Sequence, residues 1–289
     1  MSDNENICDK KVYLSYLAGE PLISYLKMSG FSPVLLDGTR SPVYTEVSAH
    51  ADIHMCRLGL WDEPELFIGN TSKLGRNYPG NIIYNAVCTG KYFIHNLKYT
   101  DPELLRAACS RSNDKLIKIH VPQGYTRCCC LPVDDSSFIT SDAGIAGALQ
   151  KAGAHIIQSD DYIPRGSHTP GAGSHIVRSG NCVPEICASD PHCAGDSCFS
   201  DIEVLLISKG SIALPGFDYG FIGGCAGHIT VNDKSTIVFN GNLSAHPDYK
   251  KIAAFIHDRD IDIRFFEDYP LTDIGSILTG SLFNCWLFS

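Results

Sequence analysis

The chain has 289 residues, an apolar fraction of 44%, a charged fraction of 19% and a formal net charge of -9. That composition excludes a disordered or fibrous protein, and the acidic balance with no Lys/Arg run argues against nucleic acid as a partner. Residues 1–11 carry no basic stretch followed by an apolar segment, and no uninterrupted apolar run approaches membrane-spanning length, so a soluble cytoplasmic protein without a membrane partner is expected, its 13 cysteines mostly reduced.

Lys11 to Leu36 reads as a strand, a helix with Leu22, Ile23 and Leu26 on its apolar face, a stop at Gly30 and a second strand. Val47, Ala49, Ala51, Ile53 and Met55 then alternate with polar neighbours, the period of a strand with two different faces. ELFIG, Glu65 to Gly69, closes that part.

The next unit is fuller. NIIYNAVCTGKYFIHN supplies two strands, YTDPELLRAAC a helix and KLIKIHV a strand; Thr100 with Glu103 spells a capping box and Pro102 fits the first turn. RCCCLPVDDSSFIT, then a helix around Ile145 to Lys151 with Ser141 and Asp142 as caps, a Gly153 stop and HIIQ repeat the order. About residues 159–201, a stretch rich in Gly, Pro, Ser, His and Cys interrupts the rhythm as a long insertion. EVLL is read as the resumption of the strand pattern leading into the next unit. LPGFDYGFIGGCAGHITV, STIVFNG, a helix starting near Ser244 and DIRFF give the clearest β-β-α-β module, with Ile252, Phe255 and Ile256 on one helix face. The last strand-like unit, DYPLTDIGSIL, lacks a following helix, so the helix near the N-terminus is its expected partner. The count is four full or nearly full modules, with a period of roughly 45 residues, plus a fifth assembled from the two ends, in a single domain over 1–289.

These modules, with SAHADIHMC, YPGNIIYNA, KYTDP, QGYTRC, ITSDAGIA, LPGFDYGFIGG, LSAHPDY and DIGSIL, resemble an uncharacterised family assigned to the pentein fold. The resemblance implies an α/β five-bladed propeller of β-β-α-β modules with pseudo-fivefold symmetry. It also implies kinship with guanidino-group-modifying hydrolases and amidinotransferases, and with a non-enzymatic ribosome anti-association factor of the same fold. Guanidine chemistry there needs a thiolate, an imidazole and carboxylates. His50-Ala51-Asp52 has the spacing that puts both side chains on one strand face, or else marks a polar edge facing water. His246-Pro247-Asp248 has the same spacing, but Pro and the following apolar period place it at a helix start as a structural element.

For the nucleophile, Cys128 in QGYTRC ranks above Cys225 and Cys88, each of which is otherwise a small buried residue; Cys285 sits among aromatic neighbours rather than after the glycine-rich strand entry that the resemblance implies. Substrate contacts are expected from Asn85, Asp142, Tyr219 and Asp273, although Asp142 also suits a helix cap and Asp273 a turn. The expected ligand is a small guanidino compound, without a cofactor; the alternative is a binding or scaffold protein that keeps the fold without the chemistry. A third reading takes Cys182, Cys187, His192, Cys193 and Cys198, with His168 and His175, as a source of four ligands for a structural zinc in the insertion, the alternatives there being disulfides or an unstructured loop.

Overall fold

Residues 10–164 and 201–283 are described by the computed structural model, and the insertion cysteines and Cys285 lie outside them. Strand β1 (Lys10–Ser15) leads into helix α1 (Glu20–Met28) and back through β2 (Phe31–Leu36), parallel to β1. Leu22, Ile23 and Leu26 are buried as their spacing requires, and Gly30 leaves the helix at φ 81°, a left-handed conformation that glycine adopts without a Cβ penalty.

The alternating stretch that follows is not a strand. Residues Ala51–His54 form the short helix α2, with His50 extended at its N-cap, and β3 (Met55–Leu58) starts only at Met55 and pairs antiparallel with β4 (Glu65–Ile68). Ala51, Asp52 and Ile53 are all buried, so the segment has no solvent face for an alternating pattern to report.

The next module has β5 (Val87–Cys88), β6 (Tyr92–His95), α3 (Pro102–Arg111) and β7 (Ile117–His120). Its helix is capped by Asp101, whose carboxylate accepts from Glu103 N and Leu104 N at 2.9 and 3.1 Å; Thr100 instead bonds the His95 ring at 2.7 Å. A second short helix, α4 (Thr126–Cys129), occupies what reads in sequence as the start of a strand, and β8 (Cys130–Pro132) follows it. Then come β9 (Ser137–Thr140), α5 (Ala143–Lys151) capped by Asp142, and β10 (His155–Gln158).

After the insertion, β11 (Glu203–Leu206) does not open the next unit but wedges between β9 and β10, parallel to both. Val204 and Leu205 are fully buried, and an apolar strand with both neighbours filled is the stable arrangement for such residues. The module read most easily in sequence is present as β12 (Ala226–Val231), β13 (Lys234–Phe239), α6 (Tyr249–His257) and β14 (Asp262–Arg264). Ser244 does not cap α6. It belongs to a 3-10 turn capped by Asn242, and the helix begins after Asp248.

Last come β15 (Leu278–Thr279) and β16 (Ser281–Leu282). The first pairs antiparallel with β1, Thr279 opposite Val12, so the two ends of the described chain share a sheet as expected; the second adds to β4.

The result is a mixed α/β protein of small sheets, ordered β15-β1-β2, β16-β4-β3, β5-β6-β7, β8-β9-β11-β10 and β12-β13-β14. Buried apolar side chains are shared between sheets. Val12 and Leu14 of β1 pack with Ile229 and Val238; Met55 and Leu66 with Leu278; Leu58 and Phe67 with Cys88 and Phe93; Ile94 and Ile119 with Phe138 and Val204; and Leu131 and Ile139 with Ile237 and Phe239. No described helix is long and apolar enough to cross a membrane.

Candidate functional site

Four chain segments converge on one buried polar cluster: the start of α2, the approach to β5, helix α4, and residues 273–276 ahead of β15. His50 is 2% exposed, Asp52 1%, Cys128 3% and Asp273 1%, and Asn85 and Ser276 are fully buried. One ligating atom each of His50, Cys128 and Asp273 lies within 4.8 Å of the others. The Cys128 thiol donates to Asp52 Oδ2 at 3.0 Å. Ser276 Oγ lies 2.6 Å from the same oxygen and 3.0 Å from Gly223 O, and its single proton serves one of these acceptors at a time.

Asn85 fixes the cysteine. Its Oδ1 accepts from Arg127 N at 2.8 Å and Cys128 N at 3.4 Å, donors that α4 leaves without an intrahelical partner, while Nδ2 reaches Asp52 O at 3.3 Å and Cys128 Sγ at 3.5 Å. Asp273 is held from two sides, Oδ2 accepting from Phe221 N and Oδ1 from Gly275 N, both at 3.0 Å. Glycine is required nearby. A Cβ on Gly224 would lie 1.9 Å from Asp273 Oδ1, and one on Gly275, at φ +71°, would lie 2.0 Å from His50 Cβ.

Arg127, a buried cation, interacts with the charge of Asp52 without touching it, and Arg57 is a second buried cation beside Arg127. Arg127 donates to Gly223 O at 2.9 Å and Ala226 O at 3.2 Å; Arg57 donates to His228 O and Thr279 Oγ1, both at 2.7 Å, and to Leu60 O. Burial lowers the Arg57 pKa to about 9, so it stays charged at neutral pH. Burial, followed by the charges of Asp52 and Asp273, pushes the Cys128 thiol well above its ordinary value, and burial likewise raises Asp273 against the opposing pull of His50. In this arrangement Cys128 is a neutral thiol and a hydrogen-bond donor. His50 Nε2 and Asp52 Oδ1 have no partner, and an unsatisfied buried polar atom costs about 1–3 kcal/mol.

His50, Asp52, Asn85, Cys128 and Asp273 thus meet in space, although His50-Ala51-Asp52 reaches the cluster from a helix start rather than a strand face. Asp142 does not join them: its Oδ1 accepts from Ile145 N at 2.8 Å as a cap and its Oδ2 from Gln123 at 3.1 Å. Tyr219 is half-buried with its ring edge-on to Phe221 at 5.8 Å, in the segment that leads to Asp273's partner. Beside it a surface pocket of about 440 Å³ is lined by Leu17, Leu214, Phe217, Asp218, Tyr269 and Thr272. Cys225 donates to Ile222 O at 3.2 Å, and burial lifts Cys88 to about 11; both are structural thiols.

Sequence reasoning missed Ser276, Arg57 and Arg127. Ser276 carried a usable signal, since DIGS places it one turn residue beyond a glycine that must adopt positive φ. The arginines carried none, because their partners are backbone carbonyls distant in the chain.

Residues 60–163 and 183–278 match a family described as "Family of unknown function (DUF6873)". The chain belongs to this family. The matched spans hold Asn85, Cys128, Asp273 and Ser276, whereas His50 and Asp52 precede them. No curated protein and no solved structure matches the chain.

Proposed function

We propose that the chain is a pentein-type five-bladed α/β propeller whose central Cys128, His50 and two aspartates transform a small guanidino or amidine compound. The propeller reading is supported by the shared cores, which lead from β12-β13-β14 through β15-β1-β2, β16-β4-β3, β5-β6-β7 and β8-β9-β11-β10 and back to β12-β13-β14. His228 on β12, bonded to Pro132 O on β8 at 2.6 Å, fits the closing step. The free thiols of the seven described cysteines suit a reducing compartment such as the cytoplasm.

The chemical reading rests on one observation: thiol, imidazole and carboxylate atoms lie within 4.8 Å of one another, with a second carboxylate 3.0 Å from the sulfur. Burial first, and then the charges of Asp52 and Asp273, hold the thiol protonated; a planar cation placed between the two carboxylates offsets the second cause and so shifts the balance toward the thiolate. The thiol proton passes to the His50 imidazole, the sulfur bonds to the central carbon, and the C–N bond to the departing amine breaks as His50 delivers that proton to the nitrogen. Water, deprotonated by the now neutral imidazole, cleaves the C–S bond and restores the thiol. The products are a ureido compound and an amine or ammonium; an amine acceptor in place of water gives amidino transfer.

The test is ureido and ammonia release from a panel of guanidino compounds by the full chain, with Cys128→Ser and His50→Ala alongside. Release that both substitutions abolish in folded protein supports the proposal; release unchanged by Cys128→Ser overturns the thiol's role. Near-complete burial of the cluster favours a second reading, a non-catalytic binding or scaffold protein whose polar centre pins the sheets together. On that reading, the panel yields no product and Cys128→Ser changes stability alone.

A further inference from the structure

The same cluster admits a second chemistry. His50, Cys128 and Asp273 offer an imidazole nitrogen, a sulfur and a carboxylate oxygen within 4.8 Å of one another, and all three residues are buried. Two polar atoms of the same cluster, His50 Nε2 and Asp52 Oδ1, are buried without any partner. Buried polar atoms are almost always satisfied, so these orphans call for a ligand of opposite character.

We propose that His50, Cys128 and Asp273 form a binding site for a single divalent transition ion of the Zn2+ class, with Asp52 beside its fourth position. This goes beyond the guanidino reading and does not rest on it.

Donor chemistry selects the ion. Thiolate with imidazole suits Zn2+ or Co2+, whereas Mg2+ and Ca2+ take oxygen ligands. Size is compatible as well: bonds of about 2.0–2.3 Å in a tetrahedron put ligand atoms roughly 3.3–3.8 Å apart, so a maximum separation of 4.8 Å closes by side-chain rotation of about an ångström. On binding, the thiol proton leaves to solvent and the sulfur exchanges its 3.0 Å bond to Asp52 for the ion. The charges then balance, since a dication with the Cys128 thiolate and the Asp273 carboxylate is neutral.

The preorganisation is already present. Backbone N–H groups of Phe221 and Gly275 fix the Asp273 carboxylate, Asn85 fixes Cys128, and the missing side chain at Gly275 is what lets His50 approach. A loaded ion ties up the sulfur, so metal and electrophilic substrate compete for Cys128.

The experiment uses the full chain, stripped with a chelator, titrated with Co2+ and then Zn2+. Retention of a single Co2+ with a thiolate-to-cobalt charge-transfer band, bleached by Zn2+, is expected. Cys128→Ser abolishes the band, and Asp52→Asn weakens binding about 10- to 100-fold. Joint replacement of Cys182, Cys187, Cys193 and Cys198 by serine leaves the band unchanged. Absence of bound Co2+, or a band that survives Cys128→Ser, overturns the proposal. Should Cys128→Ser not fold, X-ray absorption of the zinc-loaded wild type decides: one sulfur with nitrogen and oxygen neighbours supports the site, and two or more sulfurs overturn it. Product release by chelator-treated protein reports on guanidino chemistry separately, so the two proposals fail independently.

Discussion

His50-Ala51-Asp52 and His246-Pro247-Asp248 are the same pattern in two settings. Each sits at a helix start, His50 as the N-cap of α2 and Asp248 as the N-cap of α6. Each has a buried histidine and a buried aspartate. The second spends its polar atoms locally or structurally: His246 Nδ1 accepts from Asp248 N at 3.1 Å and Asp248 Oδ2 from Ser208 N at 2.6 Å. The first leaves Nε2 and Oδ1 unpartnered and takes a thiol and a hydroxyl from residues far along the chain. What separates a site from a structural cap is therefore the company the tripeptide keeps, together with the bonds it leaves unmade.

That contrast is open to direct attack. The largest effect is expected on turnover: Cys128→Ser removes product formation on any guanidino substrate, while His246→Ala keeps the wild-type rate in steady-state assays. A rate loss common to both would erase the distinction. Next in size is Gly275→Ala, which forces a Cβ into His50 at a positive φ and is expected to cost about 3 kcal/mol or more in urea unfolding. Asp248→Ala should cost less, about 1.5–3 kcal/mol for the lost charged acceptor, with no change in Cys128 alkylation rate.

The smallest effect lies in the pH dependence of stability. Burial raises the Asp248 pKa, but the bonds from Ser208 and Ser159 and the charge of His246 outweigh it and leave the group below its ordinary value. Its contribution is therefore present above the unfolded-state pKa and is lost as pH falls through the folded one. Asp273 is shifted the other way by burial, so its contribution is present below the unfolded-state pKa and is lost as pH rises through the folded one. Unfolding curves from pH 2 upward should show Asp248→Asn flattening the acid limb and Asp273→Asn flattening the decline above about pH 4. The reverse assignment would invert the comparison.

Much of the framework was legible because local signals suffice for it. Leu22, Ile23 and Leu26, or Ile252, Phe255 and Ile256, announce a helix face, and Gly30 and Gly153 announce stops. Pairing of the DIGSIL end with the first strand followed from counting modules. The errors share a cause. Residues 47–55, RCCC and EVLL were read from alternation or apolarity, and where most residues are buried, period loses its meaning and tertiary contacts choose the conformation or, for EVLL, the strand's neighbours. Of the expected caps, Asp142 holds, whereas Asp101 takes the place of Thr100 one residue on and Ser244 falls in a 3-10 turn capped by Asn242, four residues before the α6 N-cap at Asp248, because several side chains near a helix start compete for the same donors. At the site, Cys128, Asn85 and Asp273 were identified by type and place, but their convergence depends on Gly224 and Gly275, whose role is steric and becomes visible only when the segments meet.

The pairing of β15 with β1 carries a consequence for how the protein is made. On a ribosome, α2 and α4 emerge long before residues 273–276, so Asp52 and Cys128 are synthesised without the groups that enclose them. The first sheet likewise waits for Leu278 and Thr279 before its edge is filled. Contacts between residues separated by more than 200 positions, such as Ser276 with Asp52, make the centre the last part to close and folding slow relative to a helical protein of similar size. A nascent chain stalled before residue 273 should therefore expose a reactive Cys128 that the finished molecule conceals.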